Sequence, residues 1–304
     1  MRICSLLPSA TEIFYALGLG DSVLGVTHEC DFPAAAASKP AVIHPRVDPQ
    51  ASPAELDRQV AEIVARGESV YAVNAELLAS MEPDLIVTQD LCHVCAASPD
   101  DLAAALAGLR RQPRVLSLTP HSLSDVWGDI RRIGDAAGRP GEAKELAAGL
   151  AERVAAVERM VAKATRPRVV CLEWLDPFFV GGHWVPEMVE KAGGKDAMGE
   201  ANRPSQRVTA EDIAASGAEV MVVMPCGYNV ERTVAEWRKL EIPREWKQLP
   251  ALREGRVFAV DANSYFSRSG PRLADGVELL GHLFHPELAG ARVSAEAFRR
   301  LGGA

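Results

Sequence analysis

The chain has 304 residues, 48% hydrophobic and 24% charged. That is the composition of a globular protein of about two domains, and it excludes disordered, collagen-like and fibrous classes. A net charge of −8 argues against nucleic acid as the main partner, and six cysteines are too sparse for a disulfide scaffold.

The opening Met1-Arg2-Ile3-Cys4-Ser5-Leu6-Leu7-Pro8 has no basic stretch followed by an apolar run and a small-residue cleavage site. It predicts a cytoplasmic location, or a periplasmic one where a leader has been removed. No stretch reaches the ~20 apolar residues that span a bilayer, so the chain is not membrane-embedded.

Apolar β-type runs at 2–6 and 22–26 are followed by helical patterns at 53–66 and 74–81. A strand at 85–88, a helix at 100–109, a strand at 114–118 and a helix at 123–137 come next. Strands at 168–172, 220–224 and 256–260 mark the second half. This alternation predicts an α/β protein with parallel sheets covered by helices. Residues 141–164 differ. They contain no proline, and Leu146, Leu150, Val154, Val157 and Val161 form one apolar stripe. A helix there is about 35 Å long at 1.5 Å per residue. It is read either as a crossover helix or as a rigid spine between two Rossmann-like lobes, residues 1–140 and 165–304.

Cys30, Cys92, Cys95 and Cys226 all fall just beyond predicted strand ends, where open α/β sheets bind ligands. Cys4 and Cys171 lie inside apolar strands and read as core. The Cys-x-x-Cys of Asp90-Leu91-Cys92-His93-Val94-Cys95 with two further thiols supplies four soft ligands, suited to zinc or a [4Fe-4S] cluster. A redox pair and a set of unreactive loop thiols are the competing readings. His28 and His93 flank these cysteines as outer donors or alternative ligands.

Trp174, Phe178, Phe179 and Trp184 cluster in a chain poor in aromatics, which reads as a binding wall or as packing under a long loop. His183 stands in the adjacent Gly181-Gly182-His183-Trp184 turn. Tyr265, Arg268 and Arg272 offer an aromatic and two cations suited to carboxylate or phosphate. Nucleophile-elbow, Walker and dinucleotide-binding motifs are absent. Glu173, His183 and Glu187 are the acid–base candidates, with nothing to fix their geometry.

Ser5-Leu6-Leu7-Pro8-Ser9-Ala10-Thr11-Glu12, Ala16-Leu17-Gly18-Leu19-Gly20-Asp21 and Gly25-Val26-Thr27 resemble the opening of the helical-spine, class III substrate-binding proteins of ABC importers for vitamin B12 and ferric siderophores. Glu82-Pro83-Asp84-Leu85-Ile86-Val87, Val208-Thr209-Ala210-Glu211-Asp212 and Ser267-Arg268-Ser269-Gly270-Pro271-Arg272 continue the match, over residues 2–286 in all. The resemblance implies two α/β lobes on one long helix, a cleft between them, small hinge motion, and a corrinoid or other small metal-containing ligand. It also implies docking to an ABC permease through Glu76 and Glu211. Tyr71 falls near a position where the relatives place an aromatic against the corrin. Gln89 and Pro204-Ser205 replace two other aromatics. The expected ligand-binding residues are thus Tyr71, Gln89, Trp174, His183, Trp184, Tyr265, Arg268 and Arg272. The alternative function is a cytoplasmic iron–sulfur or zinc protein with a redox, sensing or enzymatic role.

Overall fold

A computed structural model describes residues 1–89, 99–288 and 294–302. It divides into two compact units, Met1–Pro120 with Ser124–Gly149, and His121–Leu123 with Leu150–Ala304.

The first unit begins β1 (Ile3–Ser5), α1 (Pro8–Ala16), β2 (Val23–Thr27), β3 (Ala41–Pro45), α2 (Pro53–Ala65) and β4 (Tyr71–Val73). It continues through α3 (Ala75–Met81), β5 (Leu85–Gln89), α4 (Pro99–Ala107), β6 (Arg114–Leu118) and α5 (Leu123–Ala136) to α6 (Pro140–Val161). Its strands form one sheet in the order β4-β3-β2-β1-β5-β6. Every pair is parallel except β3 with β4. The central strand β1 is buried at all three residues, as a parallel strand covered on both faces must be. Its Cys4 packs with Leu6, Val42, Leu78, Met81 and Ile86. Side chains define the helix starts: Ser52 Oγ accepts from the Glu55 amide at α2, and Asn74 Oδ1 from the Leu77 amide at α3.

The second unit runs β7 (Arg168–Leu175), β8 (Phe178–Val180), α7 (Val185–Lys191), β9 (Lys195–Asp196), β10 (Gln206–Arg207), α8 (Ala210–Ala215) and β11 (Val220–Val223). Then come α9 (Val230–Lys239), α10 (Pro250–Arg253), β12 (Val257–Val260), α11 (Ala262–Tyr265), α12 (Leu273–Phe284) and β13 (Phe298–Leu301). The sheet order is β10-β8-β7-β11-β12-β13, with β9 also paired to β7. Strands β7, β11 and β12 are parallel; the pairs β7–β8, β8–β10 and β12–β13 are antiparallel.

The α/β class is as expected, but both sheets are mixed rather than wholly parallel. The antiparallel members lie toward the margins, where a strand can be short and polar. Gln206, Arg207, Arg299 and Arg300 are exposed there, and such charges discourage further edge pairing. A central parallel strand needs a continuous apolar run, and those runs carried the sequence signal.

Helix α6 begins in the first unit and ends in the second, the division falling between Gly149 and Leu150. Its buried stripe is Ala143, Ala147, Leu150, Val154, Val157 and Val161, while Leu146 is half-buried. Alanine leads because α5 lies so close: a Cβ on Gly134 would stand 2.2 Å from that of Ala143. Farther along, Arg153 bonds both Asp275 and Glu278 of α12, at 2.5 and 2.7 Å from Nη2.

Trp246 anchors the second unit's main core. It is fully buried, lies 4.9 Å from the Phe178 ring, and donates its indole N–H to the Ala210 carbonyl at 2.9 Å. Replacing it with alanine empties that space and orphans the carbonyl. Trp246→Ala should therefore cost about 3–5 kcal/mol, read as a lower urea midpoint for the second unit.

Candidate functional site

Parallel strands bring their carboxyl ends to one edge of a sheet, and the loops leaving that edge collect most of the expected site residues. In the first unit, β2 ends at Thr27. The backbone N–H of His28 donates to the Ile43 carbonyl at 3.1 Å, holding the loop against β3. The His28 ring then lies 5.8 Å from that of Tyr71, in β4. Gln89 closes β5 and is half-buried.

Cys30 is buried among threonine hydroxyls. Its thiol is 3% exposed, 3.2 Å from Thr11 Oγ1 and 3.3 Å from Thr27 Oγ1, and it accepts the Thr27 amide at 3.4 Å. Cys226 is an exposed thiol of the second unit. Cys92, His93 and Cys95 lie outside the described residues. Among the described residues no group of three or more His, Cys, Asp or Glu side chains is placed to hold a metal ion. The four-cysteine site, the [4Fe-4S] or zinc cofactor and the metalloprotein alternative built on them are therefore unsupported. Cys4 and Cys171 are core residues, 0% and 1% exposed. Burial pushes the Cys4 thiol up to about 12 and the Cys171 thiol well above its usual range.

The second unit carries a longer rim of contacts. Trp174, near the end of β7, stands 5.4 Å from the ring of Tyr228, and the Arg232 guanidinium lies 3.9 Å over that ring. Arg232 Nη2 also donates to the Tyr228 hydroxyl at 3.1 Å. Tyr228 is 3% exposed, and burial raises its hydroxyl pKa. Its carbonyl accepts the Asn263 amide, and Asn263 Oδ1 in turn accepts from Arg268 Nη2 at 2.8 Å. Arg268 is 9% exposed. Tyr265 and Arg272 flank it, both half-buried. Trp184, expected in the wall, is 6% exposed, and its indole N–H donates to the Phe266 carbonyl at 2.8 Å. It supports the rim from below. Sequence reading missed Tyr228 and Arg232; the available signal was an aromatic after Pro225-Cys226-Gly227 beyond a strand, then a cation four residues on, one helical turn away.

Behind Trp174, the part-buried Glu173 carboxylate accepts the Ser205 hydroxyl and the Gly182 amide. Burial pushes it up to about 7; these two hydrogen bonds offset part of that, and the Asp196 carboxylate adds to it. Gly182 is required by closeness: a Cβ there would meet the Ser205 amide nitrogen at 2.4 Å and the Arg203 carbonyl oxygen at 2.5 Å. The His183 amide donates to Arg203 O at 2.6 Å, and Asn202 donates to His183 O at 2.9 Å. His183 takes φ +51°, and its ring lies 5.7 Å from that of Trp184 at a tilt of 33°. The acid–base trio is not assembled. Glu173 is engaged by Ser205, and Glu187 Oε2 accepts the Leu123 amide at 2.9 Å. A separate groove of about 660 Å³ runs along α9 and β13, lined by Val234, Trp237, Leu240, Arg299 and Arg300, and shares none of these rim residues.

Comparison with known proteins bears on this edge. Residues 3–264 match the family model described as periplasmic binding protein. An uncharacterized ABC transporter substrate-binding lipoprotein, YvrC, of Bacillus subtilis (strain 168) is 27% identical over 94% of this chain and 80% of its own length. A vitamin B12-binding protein of Vibrio cholerae is 25% identical over 91% of this chain and 86% of its own. Among solved structures, a periplasmic heme-binding protein of Pseudomonas aeruginosa superposes with a TM-score of 0.73 at 20% identity, covering 99% of both chains. The V. cholerae vitamin B12-binding protein BtuF gives a TM-score of 0.67 at 22% identity, over 94% and 96% of the two chains. These two likenesses speak for the fold. The expected cytoplasmic location gains no support from a family of periplasmic binding proteins. No helix among the described residues is long and apolar enough to cross a membrane.

The Glu173 carboxyl generates a pH signature. Its native value of about 7 lies above the ordinary 4.5, so the folded state binds the proton more tightly than the unfolded state. The stability this contributes is fully present below pH 4.5 and is lost as pH rises to about 7. Asp196 is also raised by burial and acts in the same direction. The difference between wild type and Glu173→Gln, taken from urea midpoints across pH 4.5 to 8, isolates Glu173. Wild type should lose stability relative to the variant across that window.

Proposed function

The chain belongs to the periplasmic binding protein family, and we propose that it is the cleft-type substrate-binding component of an ABC importer for a planar metal chelate, a corrinoid or a heme. The single observation that supports the ligand class is the ladder of Arg232, Tyr228 and Trp174 at the carboxyl edge of the second unit. Trp174, half-buried and tilted 59° from the Tyr228 ring, offers an apolar aromatic wall to a conjugated macrocycle. The guanidinium at their end, with Arg268 and Arg272, suits the acidic side groups such macrocycles carry. Relatives named for vitamin B12 and heme binding favour the same class.

In this reading His183 and Tyr265 border the ligand on the second unit, and Tyr71 and Gln89 are the ligand-binding residues of the first. The working compartment is the periplasm or the outer face of the membrane, in keeping with the lipoprotein relative. Glu76 and Glu211, each exposed in the first turn of α3 or α8, serve as docking charges for a permease.

Tryptophan fluorescence titrated with cyanocobalamin, hemin and a ferric siderophore tests this. One of the first two should quench emission saturably at one ligand per chain. Trp174→Ala should weaken that ligand about tenfold or more, the scale of an aromatic hot spot. Saturable binding of the siderophore alone removes the macrocycle reading, and binding of none of the three removes the whole proposal.

A further inference from the structure

Beyond the aromatic ladder, the second unit sets His183, which borders the ligand in the macrocycle reading, beside His121, which that reading does not use. We propose that His121 and His183 form a two-imidazole site for a divalent late-transition-metal ion. Their ring centroids are 5.8 Å apart, with the planes tilted by 32°. A metal–imidazole bond of about 2.0–2.1 Å puts each centroid about 3.2 Å from the ion, so two such arms span about 5.2 Å at a tetrahedral angle and about 6.4 Å when linear. The observed spacing falls inside that interval.

Each ring is held from its own side. His183 has both backbone polar groups tied to the 202–203 segment, and its left-handed conformation fixes where the side chain leaves the chain. Its Nδ1 is buried and has no hydrogen-bond partner. A buried polar atom in that state calls for a ligand. His121 comes from the short segment His121–Leu123, which belongs to the second unit although the residues on either side belong to the first. The Glu187 carboxylate anchors that segment through the Leu123 amide. It also places a negative charge on the helix that begins two residues after His183.

Neutral imidazole is the form that binds zinc, copper and nickel. Two protein ligands leave the remaining positions to water. Such a site is weaker than a closed structural site, and it ties His121–Leu123 to the start of α7 when filled.

The test uses the full chain with its thiols alkylated, so that cysteines take no metal, and Ni²⁺ as the probe. Calorimetry should show one ion per chain, with quenching of the Trp184 emission and a raised thermal midpoint, since an ion that binds only the folded state stabilises it. His121→Ala and His183→Asn should each weaken Ni²⁺ about tenfold or more. His44→Ala, in the first unit, should leave it unchanged. Asparagine at 183 accepts the left-handed backbone, and His121→Gln serves if the alanine variant does not fold. Absence of Ni²⁺ binding to wild type overturns the proposal, and so does wild-type affinity in either histidine variant. Macrocycle titrations are run separately, so Ni²⁺ binding without corrinoid or heme binding keeps this site and removes the earlier reading.

Discussion

The carboxylate of Glu173 organises the second unit's rim. It sits behind Trp174, takes a hydroxyl from Ser205 and an amide from Gly182, and is desolvated enough to favour its proton. Those two bonds draw the 202–205 segment onto the turn after β8, and the turn's close approach leaves room only for glycine at 182. The strained backbone of His183, its position beside Trp184, and the bond from Trp184 to the Phe266 carbonyl extend that arrangement. A buried acid is costly unless it is hydrogen-bonded. Here the cost fixes one loop against another beside the surface where a ligand would stack.

The two sheets solve the same problem in different ways. Parallel central strands direct their loops to one edge, so chemistry collects there. Among the described residues, the first unit places His28 and Tyr71 on that edge and buries the Cys30 thiol beside threonine hydroxyls. The second unit places a cation over one ring of a tilted aromatic pair. The difference arises from short segments after β7, β11 and β12, on strands that are otherwise interchangeable apolar runs.

What the sequence revealed follows from what periodicity can report. The central strands and the long helix declare themselves through continuous apolar runs and a 3.6-residue stripe, and they lie close to where they were expected. The edge strands do not: Gln206–Arg207 is two polar residues, and Tyr71–Val73 is half-buried throughout. Trp174 was legible because tryptophans are few. Tyr228 and Arg232 were harder, since their partnership exists only after α9 turns the guanidinium back over the ring. The cysteines are a different case. Their positions after strand ends suggested a shared metal, yet depth and hydroxyl neighbours decide what a thiol does, and Cys30 has both. His121 gave no signal, because its neighbour His183 is 62 residues away in the chain and only folding sets their rings together.

Strand β1 stands at the centre of its sheet, between β2 and β5, and the Arg2 amide bonds the Asp84 carboxylate across 82 positions of sequence. During synthesis at about 5–20 residues per second, some 4–16 seconds pass before that second neighbour exists. Through this interval β1 has one side unpaired. The topology thus makes the nascent chain a natural client of holding chaperones, and keeps it extended and threadable for longer than a fold built from sequential hairpins would.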